Sequence, residues 1–280
     1  MFKIRNHKVV REDAFVDSFD TPNRKGFFKN NCPEGIVLHD TAGRLDHMTS
    51  VRWFQNSNAK VSAHLVVGRK GEVVQLARLN AKAWHAGHSL YKGYVGLNNY
   101  AVGIEIANPG CLENLGEGRF KAWFGEIYSS SHHSIRYKDT LYHKPGWWMD
   151  YTQEQIDTLT HLCSAIYHKY NMSFITTHWY ISPGRKEDTN PFFPLEELRA
   201  KVLGCAVDDE GVNEGSCALV SANLRRWAAY DDNILAVIPR GARVEILRRG
   251  DAINNGKTEE WFLVRYQEQE GFILASLIDV

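Results

Sequence analysis

His178 and Asp188 stand ten positions apart in HWYISPGRKED, on either side of a Pro183-Gly184 turn and with Lys186 between them. A catalytic zinc takes three protein donors, often two histidines and a carboxylate, and keeps a fourth position open. This loop would offer two of the three. The third must come from elsewhere, and His39 is the best candidate. It closes the apolar run GIVLHDT (35–41), and side chains at the end of such a strand emerge from a sheet edge into a cleft. The chain has twelve histidines, and one at a strand end is often only hydrogen-bonded, so spacing alone does not bring His39 to His178.

Several elements have to position these groups. AHLVVGRKGEVVQLA (63–77) is two apolar stretches around Arg69-Lys70-Gly71 and predicts a β-hairpin. YAVGIEIANPG (100–110) predicts a buried strand stopped by Pro109-Gly110, and SFITTHWY (173–180) predicts a strand leading into the histidine loop. A helix is expected from Thr152, where Gln155 completes a capping box and Ile156, Leu159, Cys163, Ile166 and Tyr170 fall on one face. PLEELRAKVLG (194–204) predicts a second helix that Gly204 ends. Residues 1–33 carry little pattern and read as a polar lead-in with a few ordered contacts. This order predicts an α/β domain over 1–204, a mixed central sheet flanked by helices. The acidic, glycine-containing stretch 205–215 predicts a linker, and the short strands with turns over 216–280 predict a small all-β barrel.

Composition narrows the function classes. The chain has 280 residues, 44% hydrophobic and 24% charged, with 33 basic against 33 acidic side chains. No Lys/Arg run is present to neutralise a phosphate backbone, which argues against a nucleic-acid partner. No window reaches the apolar length that spans a bilayer, and MFKIRNHKVV lacks the apolar segment of a secretory signal. Five scattered cysteines (Cys32, Cys111, Cys163, Cys205, Cys217) with no CxxC pair predict free thiols in a reducing compartment. A monomer is expected.

Five co-linear segments, GIVLHDT, SAHLVVGRKGEVVQLA, AWHAGHS, YAVGIEIANPG and HWYISPGRKED, closely resemble the zinc-dependent N-acetylmuramoyl-L-alanine amidases, a family of phage lysins, bacterial wall amidases and peptidoglycan-recognition proteins. The resemblance covers roughly residues 30 to 204. It implies one Zn²⁺ held by His39, His178 and Asp188. Glu105 then becomes the residue that takes a proton from water and passes it to the departing amine, and Lys186 the donor to the negative oxygen of the tetrahedral intermediate. Trp84, His85 and Ser89 correspond to the family's substrate groove. His64 also matches, and Asn99 is assigned to binding the stem peptide. The implied reaction is hydrolysis of the amide between N-acetylmuramic acid and L-alanine of peptidoglycan or its muropeptides.

Two other readings stand beside this one. A recognition protein could bind the wall without turnover, or a cytoplasmic amidase could recycle wall fragments, although a barrel tether is of no use on a soluble fragment. The stretch 111–150, with Trp123, Phe124, His132, His133, Trp147 and Trp148, is longer than compact relatives carry and is expected to build one wall of the groove. Residues 216–280 resemble bacterial Src-homology-three-like domains through ANLRR, AVIPRGARVEIL, WFLVRY and GFILASLI, which implies wall binding. Trp227, Tyr230 and Trp261 would form its binding face or its core, with Trp261 assigned to the core. The protein is expected to be made in the bacterial cytoplasm without a signal peptide. It would reach the wall after release, as a lysin or an injected toxin, unless it acts in the cytosol.

Overall fold

Three apolar segments pair in register to make the centre of the molecule. Strand Gly35–Asp40 lies between Ala101–Ile106 and Phe174–Thr177, parallel to both. All three are buried along their length, as expected of parallel strands covered on both faces. The six-stranded sheet continues from Ala101–Ile106 through Leu65–Val67, Val73–Gln75 and Asp17–Ser18. Leu65–Val67 and Val73–Gln75 form the antiparallel hairpin expected around Arg69-Lys70-Gly71, where Gly71 has φ +76°. The computed structural model describes residues 1–12, 16–140, 142–204, 213–217 and 221–280.

Period-two alternation gives the two sheet faces different work. Ile36, Leu38, Ile104 and Ile106 pack with Leu159, Leu162, Cys163 and Ile166 of helix Gln153–Tyr170. That helix starts with the capping box read from the sequence: the Thr152 hydroxyl accepts from the Gln155 N–H, and the Gln155 side chain accepts from the Thr152 N–H. Helix Leu195–Leu203 follows Pro194 and ends at Gly204, φ +77°. Val37, His39, Gly103 and Glu105 belong to the opposite face, where the cleft opens.

Three readings of the sequence need correction. The strand expected over 173–180 stops at Thr177, and His178–Ile181 form a single helical turn. The Trp179 N–H donates to Asp188 O at 2.7 Å, which draws the chain off the sheet and toward the loop. The lead-in is more ordered than its composition suggests: Phe2–Arg5 and Lys8–Arg11 form an antiparallel hairpin whose Phe2 and Val9 join the main core, and Asp17–Ser18 extends the sheet. The stretch read as a linker to residue 215 overlaps a strand, since Asn213–Cys217 pairs with the C-terminal sheet; residues 205–212, Cys205 among them, lie outside the described residues. The stretch 111–150, expected to build one wall of the groove, forms a five-stranded antiparallel sheet with its own core of Leu112, Phe120, Tyr128, Ile135 and Met149.

The C-terminal region is all-β, seven strands paired antiparallel throughout. Trp261 is buried in it. It rests against the 111–150 region and the His178–Ile181 turn: Arg226 Nη2 donates to Asp139 Oδ1, Thr140 O and His143 O at 2.6, 3.0 and 3.2 Å, and the Arg248 guanidinium lies 3.6 Å from the centre of the Tyr180 ring. Trp227 packs on Gly184, where a Cβ would come within 2.5 Å of the indole. No described helix is long and apolar enough to cross a membrane. Cys32, Cys111 and Cys163 are free thiols.

Candidate active site

Strand register assembles the site. Glu105 is the direct neighbour of His39, and Thr177 is that of Leu38, so His178, one residue further, comes level with His39. Three parallel strands thus deliver Glu105, His39 and His178 at their carboxyl ends, the edge at which open α/β sheets bind ligands. Asp188 arrives on the loop that leaves His178. His39 Nδ1, His178 Nδ1 and Asp188 Oδ2 lie 2.9, 3.1 and 3.0 Å from one another, and among the described residues this trio is the group of donors whose geometry could hold a metal ion.

The outer hydrogen bonds determine what those atoms carry. His178 Nε2 faces Ala86 O at 3.0 Å and donates its proton there, so Nδ1 keeps a free electron pair. His85 Nε2 donates to Ala101 O at 2.9 Å, so His85 Nδ1 can only accept. It accepts from His39 Nε2 at 3.0 Å, which leaves His39 Nδ1 unprotonated as well. Burial, with the neighbouring His178 adding to it, pushes the His39 pKa down to about 4 and favours the same neutral ring. Two imidazole electron pairs and a carboxylate oxygen therefore point at one spot. A cation placed there satisfies all three at once. Donors on a tetrahedron around zinc at ~2.05 Å lie about 3.3 Å apart, within a few tenths of an ångström of the observed separations, so the residues fit the metal.

Behind the trio is a layer that sequence reasoning placed differently. His85 was assigned to the substrate groove; it does line the cleft, but its ring nitrogens are committed to His39 and Ala101. Gly103 makes room for it, since a Cβ there would sit 2.4 Å from His85 Cγ. Groups that orient metal-bound histidines usually contribute 10- to 100-fold in affinity or activity. His85→Ala should accordingly weaken zinc binding by about 10- to 100-fold, read by titration against a competing chelator.

His64 lies deeper still, fully buried, accepting from Gly103 N–H and donating to Ala81 O at 2.9 and 2.7 Å. It does not reach the cleft. Burial pushes its pKa down to about 4, below the ~6.5 of an unfolded histidine. The folded state thus refuses a proton that the unfolded chain takes up. The contribution of His64 to stability is whole above pH ~6.5 and is lost as the pH falls from there toward 4, by about 1.4 kcal/mol per unit. Urea unfolding at pH 7 and at pH 5 should differ by about 2 kcal/mol on this account, and His64→Gln should remove that share of the difference.

Two further candidates are not brought to the site. The Ser89 hydroxyl is used up between Gly87 O and Leu97 N–H, at 3.0 and 2.9 Å. Asn99 is turned to Gly96 O within its own turn. Neither lines the cleft. Trp84, Glu105 and Lys186 do. Glu105 is buried, with Oε2 lacking a hydrogen-bond partner, and burial, reinforced by Asp188 and Asp40, raises its proton affinity well above that of an ordinary carboxylate while Lys186 pulls the other way.

The cleft holds about 720 Å³. Its floor is the metal trio with Glu105, one wall is helix His47–Gln55 carrying Trp53, and the other is the 111–150 sheet carrying Trp123 and Phe124. That sheet also braces the ligand loop: His143 Nε2 donates to Thr189 O and Lys138 Nζ to Pro191 O, at 2.8 and 2.7 Å. On the inner side Asp40 accepts from Tyr151 OH and Asn190 N–H, and Arg185 Nη2 ties the loop to Ala86 O and His88 O. Sequence reasoning missed Trp53, Asp40 and His143. Asp40 directly follows a proposed ligand and Trp53 lies on the polar side of an amphipathic helix, and neither signal is specific by itself.

A mixed sheet with a His-His-Asp donor set and a buried carboxylate at the carboxyl ends of its parallel strands defines an α/β protein built around a metal-type centre. The chain belongs to the N-acetylmuramoyl-L-alanine amidase family, whose profile matches residues 29–191. It is 26% identical over 187 residues to the N-acetylmuramoyl-L-alanine amidase AmiD of Escherichia coli, covering 64% of this chain and 56% of that one. It is 30% identical over 148 residues to the 1,6-anhydro-N-acetylmuramyl-L-alanine amidase AmpD of Citrobacter freundii, covering 52% of this chain and 59% of the other. The matched region therefore spans little more than half the length of these relatives. A solved complex of Escherichia coli AmiD with the substrate anhydro-N-acetylmuramic acid-L-Ala-D-gamma-Glu-L-Lys aligns with 23% identity and a TM-score of 0.43, over 71% of this chain and 65% of that one.

Proposed function

We propose that the protein is a zinc-dependent peptidoglycan hydrolase that cleaves the amide between N-acetylmuramic acid and L-alanine. The observation that carries this reading is the convergence of two imidazole nitrogens and a carboxylate oxygen beside a buried carboxylate with an unpartnered oxygen. His39, His178 and Asp188 would hold the ion. When bound, zinc supplies Lewis-acid polarisation of a carbonyl and lowers the pKa of water to ~7.

The chain's own residues do the rest. Glu105 Oε2 takes a proton from the attacking water and returns it to the nitrogen of the departing L-alanine, a double task that suits a carboxylate with a raised proton affinity. Lys186 offers its ammonium to the oxygen that gains charge as the carbonyl becomes tetrahedral. Ala86 and Ala101 carbonyls, through His178 and His85, hold the imidazoles in the one tautomer that presents Nδ1 inward. Trp84 and the two walls exclude water from the reacting bond.

The C-terminal sheet is read as a Src-homology-three-like barrel that binds the wall and raises residence on an insoluble polymer. Tyr230, 49% exposed, is the aromatic candidate for its binding face, because Trp227 packs on Gly184 and Trp261 is in the core. The test is digestion of purified sacculi followed by mass spectrometry, with zinc content measured on the same preparation. New amino-terminal alanine with about one zinc per chain supports the reading. Binding to sacculi without new amino termini replaces it with a recognition role.

A further inference from the structure

The two walls of the cleft each end in an exposed indole. Trp53 is 54% exposed on helix His47–Gln55, whose Val51 and Phe54 are buried in the core, and Trp123 is 77% exposed on the 111–150 sheet. Trp123 is nevertheless oriented: its Nε1 donates to Ala42 O at 2.7 Å, and Phe124 meets its ring edge-on at 5.6 Å. Ala42 is three residues past His39, so this anchor lies no more than ~10 Å along the chain from a donor of the metal-type centre. With its only N–H committed, the ring has nothing left to offer a ligand but its apolar face. An aromatic ring that size, left open to water beside a catalytic cleft, marks a recognition surface.

The occupant can be chosen by charge and shape. The cations on these walls are already paired, Arg44 with Glu126 and Arg52 with Asp46, so the rim is close to neutral. An anionic stem peptide gains little there. An N-acetylated amino-sugar ring, uncharged and with an apolar C–H face, matches an open indole. The scissile amide has sugar on its acyl side, so a glycan must leave the reacting centre in some direction along this cleft.

We propose that Trp123 and Trp53 are stacking platforms for a glycan strand, so that the cleft accepts two or more linked amino sugars rather than a single muramoyl residue. This rests on the amidase reading, which it deepens by naming the part of the substrate the walls select. The 111–150 sheet then has a definite task, as the carrier of a sugar platform that also braces the ligand loop.

The test is calorimetric titration of the full chain with two probes, the N-acetylglucosamine tetramer and the peptide L-Ala-γ-D-Glu-L-Lys. The sugar tetramer should bind the wild type, and Trp123→Ala should raise its Kd by about 2- to 10-fold, the range expected for loss of one aromatic stacking partner. Trp123→Phe, which keeps a ring, should recover most of that loss. Thermal melts of both variants check the fold, and the exposure of Trp123 predicts little change. Equal affinities for the tetramer in wild type and Trp123→Ala, or a loss confined to the tripeptide, overturn the proposal. Because binding is read without turnover, failure here is separate from failure of sacculus digestion to yield amino-terminal alanine.

Discussion

Glu105→Gln should lower release of amino-terminal alanine from sacculi by about 10²- to 10⁴-fold, the range carried by a positioned general base, while zinc content stays at the wild-type level. The substitution is nearly isosteric. It leaves the register with His39 and the shape of the cleft as they are, and it removes only the ability to hold a proton. Glu105 makes a sharp test because it is seated in a central parallel strand, flanked by Ile104 and Ile106, both fully buried. A carboxylate in such a strand is a liability unless used, since burying it without a partner costs several kcal/mol or forces it to protonate. Here Oε2 has no partner, and Glu105 lies one inter-strand spacing from His39. Equal turnover in Glu105→Gln and wild type would remove Glu105 from the chemistry and the proposed mechanism with it.

What the sequence discloses and what it conceals follow one physical division. Signals confined to a few neighbouring residues read clearly: the continuous apolar runs of the parallel strands, the Thr152/Gln155 capping box and the Gly204 helix end each depend on local backbone and side chains. The lead-in hairpin was also local, two alternating stretches around Asn6-His7 with both residues at positive φ, and was obscured by its polar composition. Roles set by distant partners could not be read. Nothing near Ser89 tells that its hydroxyl will be taken by Gly87 and Leu97, and nothing near His85 tells that its acceptor nitrogen will meet His39, forty-six positions away. The contacts of Arg226 with Asp139 and of Arg248 with the Tyr180 ring are of the same kind. The ligand trio itself is non-local, and it became legible only through five motifs in order, which together specify a fold that no one of them specifies alone.

Zinc should stabilise the protein, and Asp188→Ala should abolish both that stabilisation and the turnover. His39 Nδ1 and His178 Nδ1 are 2.9 Å apart, and the outer acceptors, Ala86 O and the His85–Ala101 pair, favour placing the ring protons on the far nitrogens. Two electron pairs and a carboxylate at this separation repel until a cation joins them. Unfolding separates them, so zinc binds the folded chain preferentially. At a free concentration 1,000 times its Kd, zinc adds about 4 kcal/mol to stability, which for a domain of this size raises Tm by about 8 to 16 °C. Scanning calorimetry with chelator and then with excess zinc measures this directly. Asp188→Ala removes the single anionic donor of the trio and leaves only the two imidazole nitrogens. Its Tm should respond little to zinc, and its turnover should fall to the detection limit. If chelated wild type keeps both its Tm and its turnover, the three side chains serve only each other, and Glu105 has no activated water to act on.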